Sequence, residues 1–185
     1  MIYLHKNGVT IVAEKKAKIG QTYELKGEKY LVVDRKMLEE LVHLKKDITK
    51  VVTTKVDMML SLFVFKNNFN QDISSWDVSN VRSMSSMFFN ASKFNQDISK
   101  WNVKMVGQME SMFEGAHSFN CDISNWDIGL YLNLRKMFAS AYSFNQPIGK
   151  WNIRNCDISY MFLDAKSFNQ DLNNWNVKKV KSMIS

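Results

Sequence analysis

The sequence predicts an α/β repeat fold, a solenoid of short strands and short helices behind a strand-rich amino-terminal cap. Three observations predict it. A segment of about 25 residues recurs five times from Phe69 onward, and a fixed period of that size marks a repeat architecture. All five Trp fall in one column of the repeat, at Trp76, Trp101, Trp126, Trp151 and Trp175. The stretch ahead of the repeats holds four β-branched or aromatic runs and one helical pattern.

The runs IYLH, TIVA, TYEL and KYLVV read as strands between Met1 and about Val33. Asn7-Gly8 is a two-residue hairpin signal, and Lys26-Gly27-Glu28 supplies a second turn. Asp34 is placed to cap a helix that begins near Arg35. In RKMLEELVHLKK, residues Met37, Leu38, Leu41, Val42 and Leu44 share one side, and the helix is expected to end near Asp47. This gives a cap over 1–47 and a solenoid over 48–185. One period back from Val81, Met84, Met87 and Phe88 stand Val56, Met59, Leu62 and Phe63, so a half copy spans roughly residues 48–68.

The first full copy is FNQDISSWDVSNVRSMSSMFFNASK, Phe69 to Lys93. Each copy opens on Phe-Asn: Phe69-Asn70, Phe94-Asn95, Phe119-Asn120, Phe144-Asn145 and Phe168-Asn169. Aliphatic columns follow at Ile73, Ile98, Ile123, Ile148 and Leu172, and two residues beyond each Trp. Met-Phe closes the apolar set, from Met87-Phe88 to Met161-Phe162. The alternation Trp76-x-Val78 predicts a short strand, and Val81, Met84, Met87 and Phe88 predict the inner stripe of a short helix. One such unit cannot bury its apolar face alone, so Phe, Trp and Met are expected in stacked, buried columns. The Asn column is expected to bond backbone groups of its own and the next coil. The fourth copy is one residue short, between Cys156 and Met161. Cys156 takes the slot of Val81 there, and Pro147 takes that of Asp72. The fifth copy stops at Ser185, before its Met-Phe, and no capping unit follows.

The formal charge of +7 is uneven, with +5 carried by residues 1–68 and +2 by 69–185. Scattered lysines such as Lys15, Lys16, Lys18, Lys45, Lys46 and Lys50 read as a solvated surface, and no nucleic-acid partner is expected. No run of about 18 apolar residues is present to span a membrane. MIYLHKNGVTIVAEKK lacks the apolar core and cleavage site of a signal peptide. Cys121 and Cys156 sit in different columns and are expected as thiols. His5, His43 and His117 have no metal-pair spacing, and no nucleophile lies in a recognisable motif. The Asp columns (Asp72, Asp97, Asp122; Asp77, Asp127) lack the several glycines per turn of calcium-binding β-rolls and read as turn bonding. No metal, cofactor or enzymatic site is expected.

The pattern FNQDIS-x-W-[DN]-V-x-x-V-x-x-M-x-x-MF-x-x-A resembles the BspA-like bacterial surface-protein repeat, over about residues 48–185. The resemblance implies a leucine-rich-repeat-like solenoid in long secreted or surface-attached proteins, some implicated in adhesion. The full expectation is a right-handed leucine-rich-repeat-like solenoid of about five coils. It would act as a non-catalytic recognition or adhesion module for a protein or glycan ligand, at the cell surface. The alternative is an intracellular or structural protein-interaction scaffold, which a genomic start at Met1 with no secretion signal upstream would favour. Candidate ligand contacts are the variable positions beside the Trp column: Ser75, Lys100, Asn125, Lys150 and Asn174. The same positions read equally as plain solvent-facing residues.

Overall fold

The computed structural model describes residues 1–129 and 132–180. The close of the fifth copy, 181–185, on which the expected uncapped end falls, lies outside the described residues.

The amino-terminal region folds largely as its turn chemistry dictates. Strand β1 (Ile2–Leu4) pairs antiparallel with β2 (Ile11–Ala13). Their connection is wider than the two-residue turn that Asn7-Gly8 suggests. Asn7 folds the loop on itself, its Oδ1 accepting from the N–H groups of Val9 and Thr10 at 3.1 and 3.0 Å. Strands β3 (Thr22–Leu25) and β4 (Glu28–Val32) form a true two-residue hairpin. Lys26 and Gly27 both have positive φ there, 53° and 81°, as the right-handed strand twist requires. A fifth strand, β5 (Val51–Val52), adds parallel to β4. Two residues are too few to give a periodic signal, and the sequence did not reveal it.

Asp34 caps helix α1 (Arg35–His43), its carboxylate accepting from the Met37 N–H at 2.9 Å. The helix ends at His43, short of the expected Asp47. Lys45 adopts φ 53°, and Lys46 N–H returns to the Leu41 carbonyl at 2.9 Å. That is a Schellman close made without glycine, which is why no stop signal was visible. Leu38 and Val42 bury their side chains in the same core as Ile48, Val56, Phe63 and the repeat columns.

The expected right-handed leucine-rich-repeat-like solenoid of strands and helices is overturned. Among the described residues, strands and α-helix are confined to positions 2–52, in one two-stranded and one three-stranded sheet and one helix. The copies hold only turns, isolated parallel bridges and two 3₁₀ segments, Ile148–Lys150 and Val177–Lys179. The helix expected at Val81–Phe88 cannot form, because Ser86 and Asn90 sit at φ 54° and 55°. The same two left-handed positions recur at Ser111 and Gly115, at Lys136 and Ser140, and at Tyr160 and Asp164. The strand expected at Trp76-x-Val78 is instead two tight turns, Trp76 N–H to Ile73 O at 3.1 Å and Val81 N–H to Val78 O at 3.0 Å.

The backbone bonds that a helix would keep to itself go to the neighbouring copy. Met84, Ser86, Phe88 and Asn90 donate to the carbonyls of Gln108, Glu110, Met112 and Glu114 at 2.8, 2.8, 2.9 and 2.8 Å. The alternate residues Met87, Phe89 and Ala91 close turns three residues back. Side-chain columns follow this register. Phe63, Phe88, Phe113, Phe138 and Phe162 stack at centroid spacings of 5.3, 5.5, 5.8 and 5.9 Å. The Phe-Asn rings form a second column, 3.8 to 4.0 Å from the first.

The Asn column bonds from copy to copy as expected. Asn70, Asn95 and Asn120 accept through Oδ1 from the N–H groups of Asn95, Asn120 and Asn145, each at 2.9 Å, and Asn145 accepts from Asn169 at 3.0 Å. These residues lie mostly at the exposed edge, so each bond is worth its ordinary net amount. Asn120→Ala is expected to cost about 0.5–1.5 kcal/mol in chemical denaturation. An unchanged midpoint would remove the ladder from the stabilising interactions.

A stack of this kind leaves carbonyls open on its first copy, and Arg35 closes two of them. Ser83 O and Ser85 O accept from Met59 and Ser61 N–H. Their counterparts one period earlier, Met58 O and Leu60 O, accept from the Arg35 guanidinium at 3.1 and 2.7 Å. Glu39, one helical turn on, holds the guanidinium at 2.6 Å. Arg35→Ala should lower stability by roughly 1–3 kcal/mol, and Arg35→Lys should not restore it, because an ammonium cannot fork to two carbonyls. Full rescue by Lys in a thermal melt would refute the forked cap.

Candidate functional site

The five candidate contacts occupy equivalent turns. In each, the Trp N–H closes onto the aliphatic column three residues back: Trp76 to Ile73, Trp101 to Ile98 and Trp126 to Ile123 at 3.1 Å, Trp151 to Ile148 at 3.0 Å, and Trp175 to Leu172 at 2.9 Å. The candidate side chain precedes the Trp and lies outside. Lys100, Asn125, Lys150 and Asn174 are exposed. Ser75 is only half-exposed, because β2 crosses it and Ile11 N–H bonds its carbonyl at 2.9 Å. The amino-terminal hairpin also reaches Lys100, whose carbonyl accepts from Asn7 Nδ2 at 3.4 Å. A cleft of about 240 Å³ separates hairpin from repeats there, bordered by Tyr3, His5, Asn7, Trp76, Lys100 and Asn102.

The Trp rings themselves offer no platform. They are buried, and each indole Nε1 donates to the aliphatic carbonyl of the preceding copy: Trp76 to Ile48, Trp101 to Ile73, Trp126 to Ile98, Trp151 to Ile123 and Trp175 to Ile148, at 3.1–3.2 Å. This indole ladder satisfies the one polar atom of a buried Trp. Nothing in the sequence signalled it, since donor and acceptor are 27 or 28 residues apart.

The Asp columns do turn bonding except at Asp127, which is exposed and pairs instead with Lys104 Nζ at 3.0 Å. Asp72, Asp97, Asp122 and Asp171 accept from the N–H two residues on, at 2.8 to 2.9 Å. Bonds from Ser99 and Ser124 hold the Asp97 and Asp122 carboxyls below the usual range. Asp77 is buried and bonds Thr54 and Ser79. Among the described residues, no group of three or more His, Cys, Asp or Glu is placed to hold a metal ion. His5 Nδ1 accepts from Asn7 N–H at 3.3 Å, His43 is exposed at the end of α1, and His117 stacks on Tyr142 at 4.4 Å.

Cys121 stands in the Gln71 column. Gln71 Oε1 accepts from Ile48 N–H at 2.8 Å, and the Cys121 sulfur takes the equivalent bond from Ile98 N–H at 3.4 Å. Burial pushes its thiol up to about 11, with the nearby Asp97 adding to the shift. Cys121 is therefore expected to alkylate far more slowly with iodoacetamide at neutral pH than a solvent-exposed thiol. Rapid labelling would show the site to be open and the thiol unshifted.

A second cavity, of about 530 Å³, lies where the loop after α1 meets the first copy. Lys45, Lys46, Lys66, Phe63, Phe65 and Phe69 line it, with Asn and Gln side chains at one margin. Sequence reasoning did not find it, because its walls come from segments about 20 residues apart. Among the described residues, no helix is long and apolar enough to cross a membrane.

No curated protein and no solved structure matches the chain. One family model matches over residues 34–130 and again over 102–185, a span that takes in α1 and every copy. The chain belongs to the family described as Mycoplasma protein of unknown function, DUF285.

Proposed function

We propose that this chain is a non-catalytic recognition or adhesion module that binds a protein or glycan ligand at a cell surface. The observation that carries the reading is the exposed column Lys100, Asn125, Lys150 and Asn174. Each side chain is carried by a tight turn closed by an adjacent buried Trp. Rigid turns that repeat at one period present a contact surface whose side chains vary while its backbone does not. A ligand that spans several copies gains from several weak contacts at once.

The test is binding of the purified chain to immobilised matrix proteins and glycans, at low and at physiological salt. Saturable binding that persists in salt, and weakens with Lys100→Ser or Lys150→Ser, supports the column. Binding that vanishes in salt reduces the signal to net charge. No binding at all turns the reading toward a structural or intracellular scaffold.

A further inference from the structure

We propose that the cavity beside α1 binds a small planar aromatic compound that bears an oxyanion. The site is separate from the lateral column, and neither proposal depends on the other.

Each later copy meets its predecessor through two backbone donors that flank its leading Phe. The N–H groups of Asn95, Asn120 and Asn145 bond the Asn Oδ1 of the copy before, at 2.9 Å. Two residues earlier, the N–H groups of Lys93, Ser118 and Ser143 bond carbonyls of that same copy at 3.0–3.1 Å. In the first copy the equivalent donors are Asn70 and Asn68, and among the described residues neither has an acceptor. The close of α1 is the cause. One period before Asn70 stands Lys45, whose side chain has no oxygen. The carbonyl in register with Asn68 is that of Val42, and it accepts from Lys45 N–H at 3.2 Å in the turn that ends the helix.

The Phe between these donors is uncovered for the same reason. Phe94, Phe119 and Phe144 are fully buried, each with the Phe rings of both adjacent copies 5.9–6.0 Å away. Phe69 has Phe94 at 5.9 Å on one side, and Leu44 is the residue in register on the other. Leu44 is 53% exposed and does not border the cavity, so Phe69 is left half-buried. Asn68, Phe69 and Asn70 border the cavity from the first copy, and Val42, Lys45 and Lys46 border it from the helix end. The cavity therefore lies where a regular copy would set a ring and an amide oxygen.

Charge completes the choice of ligand. Lys45, Lys46 and Lys66 border the cavity, and no carboxylate does. Among the described residues none of the three forms a salt bridge. Asp47 and Asp72, the carboxylates next in sequence, are bonded to Thr49 and Ser74. Lys45 and Lys46 also suit the carbonyl end of α1, but Lys66 comes from another segment and borders the same space. A ligand ring would cover Phe69 and meet Phe65, which is 65% exposed. Its oxyanion would accept from the open N–H groups and balance the lysines. A volume of about 530 Å³ suits a small molecule. A second copy of this chain suits it poorly, since each carries a net charge of +7.

The probes are naphthoate and naphthyl phosphate, titrated into the whole chain by calorimetry and in proton–nitrogen correlation spectra. Naphthalenemethanol keeps the ring without the charge, and cyclohexanecarboxylate keeps the charge without a planar ring. Both naphthyl anions are expected to bind saturably, about tenfold more tightly than either control. The two arms then tell which oxyanion the site prefers. The amide signals of Asn68 and Asn70 should move on titration, and those of Asn95 and Asn120, already bonded, should not. Lys45→Asn puts an amide oxygen in register with Asn70. It should weaken both anions about tenfold while keeping the parent melting temperature. Lys66→Gln, which leaves the open N–H groups untouched, should weaken them by a smaller factor.

No saturable binding, or equal binding of cyclohexanecarboxylate, would overturn the site. Saturable binding that leaves the Asn68 and Asn70 signals in place would overturn it too. Self-association in sedimentation that Lys45→Asn abolishes would assign the face to a second copy instead. A negative result with lateral variants such as Lys150→Ser changes none of these outcomes.

Discussion

Trp126→Ala is expected to destabilise the chain by roughly 3–5 kcal/mol, the range for removing a large buried aromatic. The ring is 4% exposed and lies parallel to Trp151 at 6.4 Å. Removing it opens a cavity between three consecutive copies and takes away the donor that reaches Ile98 O at 3.1 Å. The two losses are separable. Ile98 O also accepts from the Trp101 N–H at 3.1 Å, so deleting the indole N–H does not orphan it. Trp126→Phe should therefore cost only about 1–2 kcal/mol, from one net hydrogen bond and a partly filled space. Equilibrium urea unfolding of both variants checks the pair. An Ala variant as stable as the parent would mean that the Trp column is not the buried spine described here. A Phe variant as damaging as Ala would shift the weight from packing to the indole bond.

The columns were legible in the sequence because a constant period of about 25 residues puts equivalent side chains on top of one another whatever the backbone does. Burial of Phe, Trp and Met, bonding along Asn and turn formation by Asp all follow from column identity alone. Backbone conformation does not. Spacings of three at Val81, Met84 and Met87 fit a helical stripe, yet they arise from successive three-residue turns separated by left-handed residues. Apart from Gly115 those residues are Ser, Asn, Lys, Tyr and Asp, so glycine flagged just one of these positions. In the first three copies their strain is offset because these residues send their N–H groups into the neighbouring copy, as Ser86 does to Glu110 and Asn90 to Glu114. The candidate contacts were legible as exposed positions at Lys100, Asn125, Lys150 and Asn174, but not at Ser75. Its cover is the β1–β2 hairpin, about 65 residues earlier in the chain, and no local pattern encodes that contact. Arg35 and the groove beside α1 escaped for the same reason.

Phe113→Ala is expected to match the Trp126 loss, at roughly 3–5 kcal/mol. Phe113 is fully buried, with Phe119 at 3.9 Å, Phe88 at 5.5 Å and Phe138 at 5.8 Å, all nearly parallel. It also touches Trp126 at 6.5 Å, which links the two ring systems. Phe69 is the contrasting case. It carries the same kind of ring but stands half-buried at the start of its column, so Phe69→Ala should cost clearly less. Position in the stack, and not residue type, sets the difference, because an interior ring has a copy on each side. The double variant Phe113→Ala, Phe138→Ala tests this directly. Adjacent rings share one cavity once both are cut, so the losses should fall short of additive by about 0.5–1.5 kcal/mol. Phe69→Ala combined with Phe138→Ala, which joins non-contacting positions, should be additive. If the adjacent pair is additive as well, the rings stabilise their copies one by one, and the stacking of copies contributes little to holding the chain together.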